Sequence, residues 1–417
     1  MRKVLSILVA GLIVSLLGSV ALAGIEITVI MPDHEADILG YFEQKAVEFE
    51  QKTGTKVSIV SASWDRVADK LLPALAAGSS AYDVVEFDNC WVAQFAETEW
   101  LLPLENYAGT EYIQDMLPAL NSLFSAKGHL YGVTWNNDMR FFMYNARMLK
   151  EAGIADPPLT WNELVEQSRR LMAAGIAKYG FIEGWEMGQA LANAQTVFAH
   201  SFGGRLLDER GNLTLDSSEC VGALQFMVNL LHKYRIVDPA SLTSSQEVSQ
   251  NVFLRGDTAF FPQAWPGLYR YSRNPEVSNI VEEVEVAPKP LGVTKGIGAA
   301  LSLPEALAIP KTSEHPDEAW AFIQFITNKE TNKAQSLAIG SLPIWTELFT
   351  DPELLKLYPY WKQFGKQAQY LHGLPQVTWY SEFSHVCTVE VMNALTQVKT
   401  VEEAVRDMMK AVEAIEK

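Results

Sequence analysis

From residue 25 onward the chain alternates between strand-like and helix-like segments, and this alternation limits it to a few folds. Residues 25–30, 57–60 and 82–87 are short apolar or alternating runs typical of strands. Between them, residues 39–54 and 65–77 repeat apolar side chains at helical spacing, and a glycine closes each run. Strand–helix–strand units of this kind build parallel sheets with right-handed crossovers. The sequence therefore predicts an α/β fold.

The N-terminus has the features of a cleavable export signal. Arg2 and Lys3 precede an apolar run over residues 4–17, and Ala21-Leu-Ala23 is a small-residue cleavage motif. The apolar run is short for a membrane span, so a retained anchor is the alternative. No cysteine follows the motif, which argues against a lipoprotein. We expect residues 1–23 to be a signal peptide and the protein to be released into the periplasm.

Length and charge narrow the classes of protein and partner. With 417 residues the chain exceeds one ordinary domain and can build two. Its formal net charge is −17, and −17 minus the two charges of Arg2 and Lys3 gives −19 after cleavage. Nucleic acids and anionic membrane surfaces are bound by clustered basic residues. We therefore expect neither as a partner.

The spacing of cysteines and histidines gives no support for a metal site. Cys90, Cys220 and Cys387 are far apart and include no C-x-x-C pair, and the seven histidines include no H-x-x-x-H pair. We expect no metal and no cofactor. The thiols are interpreted as buried and free, with a Cys220–Cys387 disulfide as the alternative.

Polar and aromatic side chains follow the first three predicted strands. Ligands of open α/β sheets bind beyond the carboxyl ends of the strands. At these ends lie Glu35, Trp64, Asp88 and Asn89, which makes them candidate ligand contacts. The alternative for each is a capping or loop residue. Trp91 is a second-rank candidate, because it also fits the buried start of a helix.

The segment Tyr131–Asn145 begins and ends like a short buried strand but is polar in the middle. Asn137, Asp138 and Arg140 can pair with hydroxyl groups, while the adjacent Trp135 can cover apolar C–H surface. This mixture suits a neutral polyhydroxyl ligand. The alternative is a core tryptophan beside solvated polar residues.

Four further tryptophans fall into two groups according to the sequence around them. Trp185, in a loop with nearby glycines, and Trp265 each follow a predicted strand, which makes them candidate stacking platforms for a ligand. Trp161 follows the cap residue of a capping box, and Trp320 lies in a helical apolar pattern. Both are expected in the core.

A series of short motifs runs along the chain in a fixed order. The motifs are FEQKTG (49–54), LPALAAG (72–78), YDVV (82–85), YGVT (131–134), FMYN (142–145), PLTW (158–161), FGG (202–204), FLRGDTAF (253–260), AIPK (308–311), AWAFIQF (319–325), Gly340, Pro343 and TVEEA (400–404). Each motif is weak alone, whereas their order and spacing together are specific. Taken in order, they resemble those of the family 1 extracellular solute-binding proteins, the sugar-binding components of ABC importers. One departure is Phe141, which stands where the family has a small residue.

The resemblance implies a two-lobed periplasmic-binding-protein fold of type II character, with an interlobe ligand cleft and three hinge crossings. The crossings are expected near 136–145, 288–296 and 343–346. The N-terminal lobe would comprise 24–136 plus 297–343, and the C-terminal lobe 137–296 plus 344–417. The segment around Trp135 then becomes the first crossing, and Trp135 itself is expected to serve the hinge.

The resemblance also implies binding without chemistry. We expect a monomer that binds a sugar or related polyol with high affinity and delivers it to membrane permease subunits. Trp345, near the third crossing, and Tyr380, beside Trp379 at a helix start, join the stacking candidates. The alternatives are a phosphorylated polyol or other non-sugar solute on the same fold, and a secreted glycoside hydrolase. The expected ligand contacts are Glu35, Trp64, Asp88, Asn89, Asn137, Asp138, Arg140, Trp185, Trp265, Trp345 and Tyr380.

Overall fold

The computed structural model describes residues 24–33, 40–63, 66–107, 113–208 and 210–415. Two sheets, each covered by helices, form two lobes. The strands are β1 Glu26–Pro32, β2 Lys56–Ala62, β3 Val84–Asp88, β4 Ser125–Ala126, β5 His129–Leu130, β6 Val133–Asn136, β7 Phe141–Asn145, β8 Tyr179–Phe181, β9 Thr258–Ala264, β10 Val284–Val286, β11 Ala300–Leu301, β12 Glu305–Ala308 and β13 Leu371–His372.

The α-helices are mostly short. They are α1 Tyr41–Thr53, α2 Val67–Ala76, α3 Val92–Glu97, α4 Pro118–Leu123, α5 Ala146–Glu151, α6 Trp161–Ala173, α7 Gln189–Ser201, α8 Ser218–Asn229, α9 Gln246–Leu254, α10 Leu268–Tyr271, α11 Pro316–Thr327, α12 Lys329–Ile339, α13 Pro352–Leu357, α14 Phe364–Gln367, α15 Tyr380–Leu395 and α16 Val401–Glu413. Shorter helical turns include Asn89–Trp91, Leu230–Tyr234, Pro239–Thr243, Thr346–Thr350, Pro359–Gln363 and Ala368–Tyr370.

The larger sheet has the strand order β2-β1-β3-β12-β6. β1 pairs in parallel with both β2 and β3, which confirms the strand–helix–strand prediction. β12 is inserted between β3 and β6 and is antiparallel to both. The carboxyl ends of β1, β2 and β3 therefore lie on one edge of this sheet.

The smaller sheet has the order β10-β7-β9-β8. β7 is antiparallel to both β9 and β10, whereas β8 runs parallel to β9. The helices α7, α8, α15 and α16 pack together in this lobe. The carboxyl ends of β8 and β9 consequently lie on the same edge, beside the amino end of β7.

The first passage between the lobes is the four-residue segment between β6 and β7. It lies beside a later segment, because Asn137 bridges to Leu342 and its Nδ2 donates to the carbonyl oxygen of Pro343 at 3.0 Å. The expectation of crossings near 136–145 and 343–346 agrees with this pairing.

The second passage lies later than the sequence suggested. Within the segment expected to cross, at 288–296, the carbonyl oxygen of Gly292 accepts from the amide of Trp161, and the amide of Val293 donates to Ser201. These partners belong to the smaller-sheet lobe. The chain instead reaches the larger sheet between β11 and β12, because the glycine-rich run packs against α6 and α7 before it crosses.

Several expectations about buried residues are confirmed. Trp161 is buried and stacks on Phe198 with ring centroids 4.6 Å apart, and Trp320 is buried in the larger-sheet lobe. The three cysteines are free and buried, so the alternative Cys220–Cys387 disulfide is absent. Among the described residues, none of the helices has both the length and the apolar character of a membrane span.

Candidate functional site

A small pocket of about 50 Å³ lies where the first crossing meets the carboxyl ends of β8 and β9. The wall combines a few polar groups with apolar surface from α7, β9 and β11. The lining residues are Arg140, Glu183, Gly184, Ala190, Asn193, Ala194, Val197, Gln246, Phe261, Gln263 and Leu301.

Arg140 enters the pocket from the first crossing and is 3% exposed. Its Nη2 lies 2.6 Å from Asp138 Oδ2, and its Nη1 donates to Gln246 Oε1 at 2.9 Å. Its backbone amide donates to the carbonyl oxygen of Leu301. Its buried Nε has no hydrogen-bond partner within the described ranges. Both terminal nitrogens of the guanidinium are therefore held, and Nε is the nitrogen that is left for a ligand.

Glu183 is the pocket's carboxylate and was missed by the sequence reasoning. Trp185 Nε1 donates to its Oε2 at 3.1 Å, whereas its Oε1 finds no partner among the residues that the structure covers. Burial raises the pKa of Glu183 to about 7, and the Trp185 hydrogen bond and the charge of Arg140 act in the opposite direction. A signal existed, since Glu183 follows the same predicted strand as Trp185.

Gly184 allows the loop after β8 to reach α9. A Cβ atom at this position would lie 2.8 Å from the backbone nitrogen of Gln246, closer than a real side chain permits. The absence of a side chain therefore brings Glu183 and Gln246 to the same wall of the pocket.

Trp185 is a support and not a ring platform. Its side chain is 0% exposed and meets Phe181 and Phe198 edge-on, with centroids 6.4 and 6.1 Å away. The ring presents no exposed face for the predicted stacking role, because Phe181 and Phe198 pack against it. What the residue does in the site is hold that carboxylate.

Trp265 and Trp345 also face protein and not the pocket. Trp265 Nε1 donates to Gln250 Oε1 at 2.9 Å, and its ring packs on Gly267. Trp345 Nε1 donates to the carbonyl oxygen of Thr327 at 2.9 Å. Both are buried in one apolar cluster. Their polar edges are used in local structure, which the sequence pattern did not reveal.

Asp88, Asn89 and Tyr380 meet at a second place, where the end of β3 faces α15. Tyr380 is buried, its hydroxyl accepts from Gln189 Nε2 at 2.6 Å, and its pKa is raised well above the usual value, mainly by burial and also by the neighbouring Cys90 and Asp88. The carbonyl oxygen of Asn89 accepts from Gln376 Nε2 at 3.1 Å. This group therefore joins the two lobes in this structure.

The remaining candidates are distributed between hinge, core and the segments outside the described residues. Asn137 lies at the crossing, bonded to Pro343 as above. Trp91 and Trp135 are buried in apolar clusters, with Trp91 stacked near Phe95. Glu35 and Trp64 lie outside the described residues, and their role stays a prediction.

A second, larger groove of about 480 Å³ runs beside the C-terminal end of α7 and the segment 371–377. It contains the stacked rings of His200 and His372. Within the described chain, no buried side-chain atom of its lining lacks a hydrogen bond, and no group of three potential metal ligands occurs. The smaller pocket therefore has the stronger features of a ligand site.

The chain is similar to known proteins that bind small solutes. The model of the family described as bacterial extracellular solute-binding protein matches residues 33–333. The maltotriose-binding protein of Pyrococcus abyssi is 25% identical over 329 residues, which are 77% of this chain and 67% of the relative. The mannitol-binding protein of Pseudomonas aeruginosa is 25% identical over 291 residues, covering 68% of this chain and 65% of that protein.

A solved structure shows the same architecture. Maltose-bound MalE3 of T. maritima superposes with a TM-score of 0.87 at 28% identity, covering 93% of this chain and 99% of that one. A solute-binding protein of Agrobacterium vitis S4 with bound D-mannitol gives a TM-score of 0.78 at 21% identity, over 93% and 97% of the two chains. The similarity therefore spans both lobes.

Proposed function

Because the chain belongs to the bacterial extracellular solute-binding proteins, we propose that it binds a sugar or a related polyol with high affinity and passes it to an ABC importer. The relatives and structural neighbours named for maltotriose, maltose and mannitol support this ligand class. The two-lobed fold supplies the mechanism. Closure on the ligand expels water and shifts the population towards the closed form.

The pocket around Arg140 and Glu183 is the observation that carries the proposal. Buried polar atoms almost always have partners, so an unbonded donor and an unbonded acceptor in one pocket indicate a missing polar ligand. Gln246, Gln263 and Asn193 add amides that donate and accept, and apolar side chains line the rest. A polyhydroxyl molecule with C–H surface matches both parts.

The predicted contacts take different roles in this proposal. Arg140 touches the ligand, and Asp138 fixes its guanidinium. Asp88, Asn89, Asn137 and Tyr380 are retained as contacts that complete the site from the closing edge and the crossing. Glu35 and Trp64 are retained from the sequence argument. Trp185, Trp265 and Trp345 are reassigned to supporting the scaffold.

The alternative of a glycoside hydrolase has little support. Such enzymes need two carboxyl groups facing one bond. Of the described residues that line the pocket, Glu183 is the single carboxylate, and the nearby Asp138 is engaged by Arg140. We therefore assign binding without catalysis. Turnover of a glycoside by the purified protein would contradict this assignment.

The family and the predicted export signal support a proposal for the cellular role. We propose removal of residues 1–23, a periplasmic monomer, and docking of the closed form on membrane permease subunits. We also keep the proposed lobe division, with the second boundary moved from residue 297 to about residue 302, because the segment 292–299 contacts the smaller-sheet lobe.

The first experiment identifies the ligand. Mass spectrometry of the protein purified under mild conditions should reveal a bound saccharide or polyol. Thermal shift assays with maltose, maltotriose, D-mannitol, ribitol and D-tagatose should then show stabilisation, because a ligand at 100 times Kd adds about 2.7 kcal/mol. No shift with any of these compounds, together with a co-purified non-sugar solute, would overturn the proposal.

A further inference from the structure

We propose that Arg140 and Glu183 form a subsite for two neighbouring hydroxyl groups of a neutral ligand, and that this subsite excludes the phosphorylated or carboxylated forms of the same molecule. The inference rests on the proposed function and makes it more specific. It names the chemical feature that is recognised and the class of close analogue that is rejected.

Several polar atoms of Arg140 and Glu183 already have partners within the protein. Asp138 and Gln246 occupy the two terminal nitrogens of Arg140, and Trp185 occupies one oxygen of Glu183. Among the described residues, the guanidinium nitrogen without a partner is Arg140 Nε and the carboxylate oxygen without a partner is Glu183 Oε1, and both are buried. A single hydroxyl can accept from the first and its neighbour can donate to the second. A vicinal diol satisfies both atoms at once.

Each of the two residues is held by hydrogen bonds within its own segment, so both are ordered before the ligand arrives. Arg140 lies on the first crossing and is tied to β11 through its backbone amide. Glu183 follows β8, and the amide of Trp185 donates to the carbonyl oxygen of Ser241 at 2.9 Å. Groups that are already ordered lose little entropy on binding.

The charges of the residues around the pocket disfavour binding of an anionic ligand. Arg140 carries the positive charge of the cluster, and it is already neutralised by Asp138 at 2.6 Å. Glu183 adds a negative charge when it is ionised. The other described lining residues, from α7, β9, β11 and the start of α9, are neutral. A phosphate or carboxylate group here would meet a carboxylate without a free cation, which is the reverse of an anion site.

The same geometry couples binding to protons. Burial holds the pKa of Glu183 at about 7, so a part of the free protein carries a protonated carboxyl near neutral pH. A hydroxyl that donates to Oε1 favours the ionised form. Binding should therefore release a proton, and affinity should fall below pH 7 by as much as tenfold per pH unit. The facing charged groups are Arg140 and Asp138, which pair with each other.

The test compares wild type with Glu183→Gln and with Glu166→Gln, a matched control on the exposed side of α6. The probe is whichever of maltose, D-mannitol, ribitol or D-tagatose gives the largest thermal shift, titrated by calorimetry at pH 6, 7 and 8. We expect Glu183→Gln to lose affinity about tenfold or more at pH 8 and to lose the pH dependence. Glu166→Gln should retain both.

Two further measurements test the subsite without relying on the variants. Titration of wild type at pH 7 in two buffers of different ionisation enthalpy should reveal proton release, and this needs no variant to fold. The monophosphate of the bound probe should not compete. Wild-type affinity and pH profile in Glu183→Gln, an absent proton release, or equal affinity for the monophosphate would overturn the subsite. If none of the neutral probes binds, the proposed function itself fails.

Discussion

A buried carboxylate is stable only where its surroundings supply hydrogen-bond donors, and at Glu183 the structure supplies a single side-chain donor. That donor is the indole nitrogen of Trp185, 3.1 Å from Oε2. The indole ring is itself enclosed by Phe181 and Phe198. The tryptophan therefore acts on the ligand through Glu183 and not by direct contact.

Substituting Trp185→Phe should expose this role. The variant keeps an aromatic ring but leaves Glu183 without its donor, so the free energy of unfolding at pH 8 should fall by about 1–3 kcal/mol. Affinity for the neutral ligand should weaken as well. Urea denaturation and calorimetry measure the two effects.

The matched control is Trp135→Phe. Trp135 is also fully buried, but its Nε1 has no hydrogen-bond partner among the described residues. This variant should lose only the energy of the smaller ring. Equal destabilisation of the two variants would show that the Trp185 hydrogen bond contributes nothing.

For single residues, the sequence predicts which side chains have the chemistry for a site better than it predicts where those side chains point. Arg140 was predicted as a contact and lines the pocket, with Asp138 bonded to it. Trp185 and Trp265 were predicted as platforms from their place after strands, yet both are buried. The direction of an indole depends on which distant group accepts from its nitrogen, here Glu183 and Gln250. A single sequence does not contain that pairing.

At the scale of elements, two histidines link a helix to a short strand. His200 on α7 and His372 on β13 stack with centroids 4.0 Å apart and planes within 9°. Burial is the main cause of the lowered pKa of both rings, and that of His200 falls to about 3. The charge of Arg205 acts in the same direction. The stack is therefore stable with both rings neutral.

Acid should destabilise the protein through this stack. Because the pKa of His200 is lower in the folded state than the unfolded value near ~6.5, its contribution is complete above that pH. It is lost progressively as pH falls towards 3. The melting temperature of wild type should therefore fall more steeply between pH 6.5 and 4 than that of His200→Gln. The exposed His385→Gln serves as control and should follow wild type. Parallel curves for all three proteins would contradict the assignment.

Helices and strands are predictable where neighbouring residues in the sequence determine them. The capping box at Thr400 and Glu403 is present in both of its hydrogen bonds. At Thr160 only one half forms, since Glu163 reaches the amide of Leu159 instead. The second crossing was placed too early, because its glycine-rich segment is held by contacts with α6 and α7. Such contacts join residues far apart in the sequence.

At the scale of the whole molecule, polar contacts between the lobes accompany apolar packing that includes residues of both. Ser381 Oγ donates to Gln94 Oε1 at 2.9 Å, beside the bond from Gln376 to Asn89. At another point Arg66 lies 3.6 Å from Glu186. The Arg66–Glu186 pair is exposed, so it contributes at most about 1 kcal/mol. The Ser381 bond is the better protected contact.

Ser381→Ala should weaken ligand binding without touching the ligand. The lost hydrogen bond is worth about 0.5–1.5 kcal/mol and exists between lobes. The closed form should therefore be less populated, with a roughly two- to tenfold higher Kd and faster dissociation. Stopped-flow and calorimetric titrations measure these quantities. The control Ser122→Ala removes a bond within one lobe, to Ala119, and should leave Kd unchanged. Equal Kd values for wild type and Ser381→Ala would show that this bond does not govern closure.

The position of β12 has a consequence for the order in which the molecule is built. β12 lies between β3 and β6 in the larger sheet, but it follows every strand of the smaller sheet along the chain. The hydrogen bond between Asn136 on β6 and Glu305 cannot form until Glu305, which lies 169 residues later in the chain, has been synthesised. Of the two sheets, the one that is begun first is therefore completed last. During synthesis the smaller sheet can assemble while the larger sheet still lacks its fourth strand.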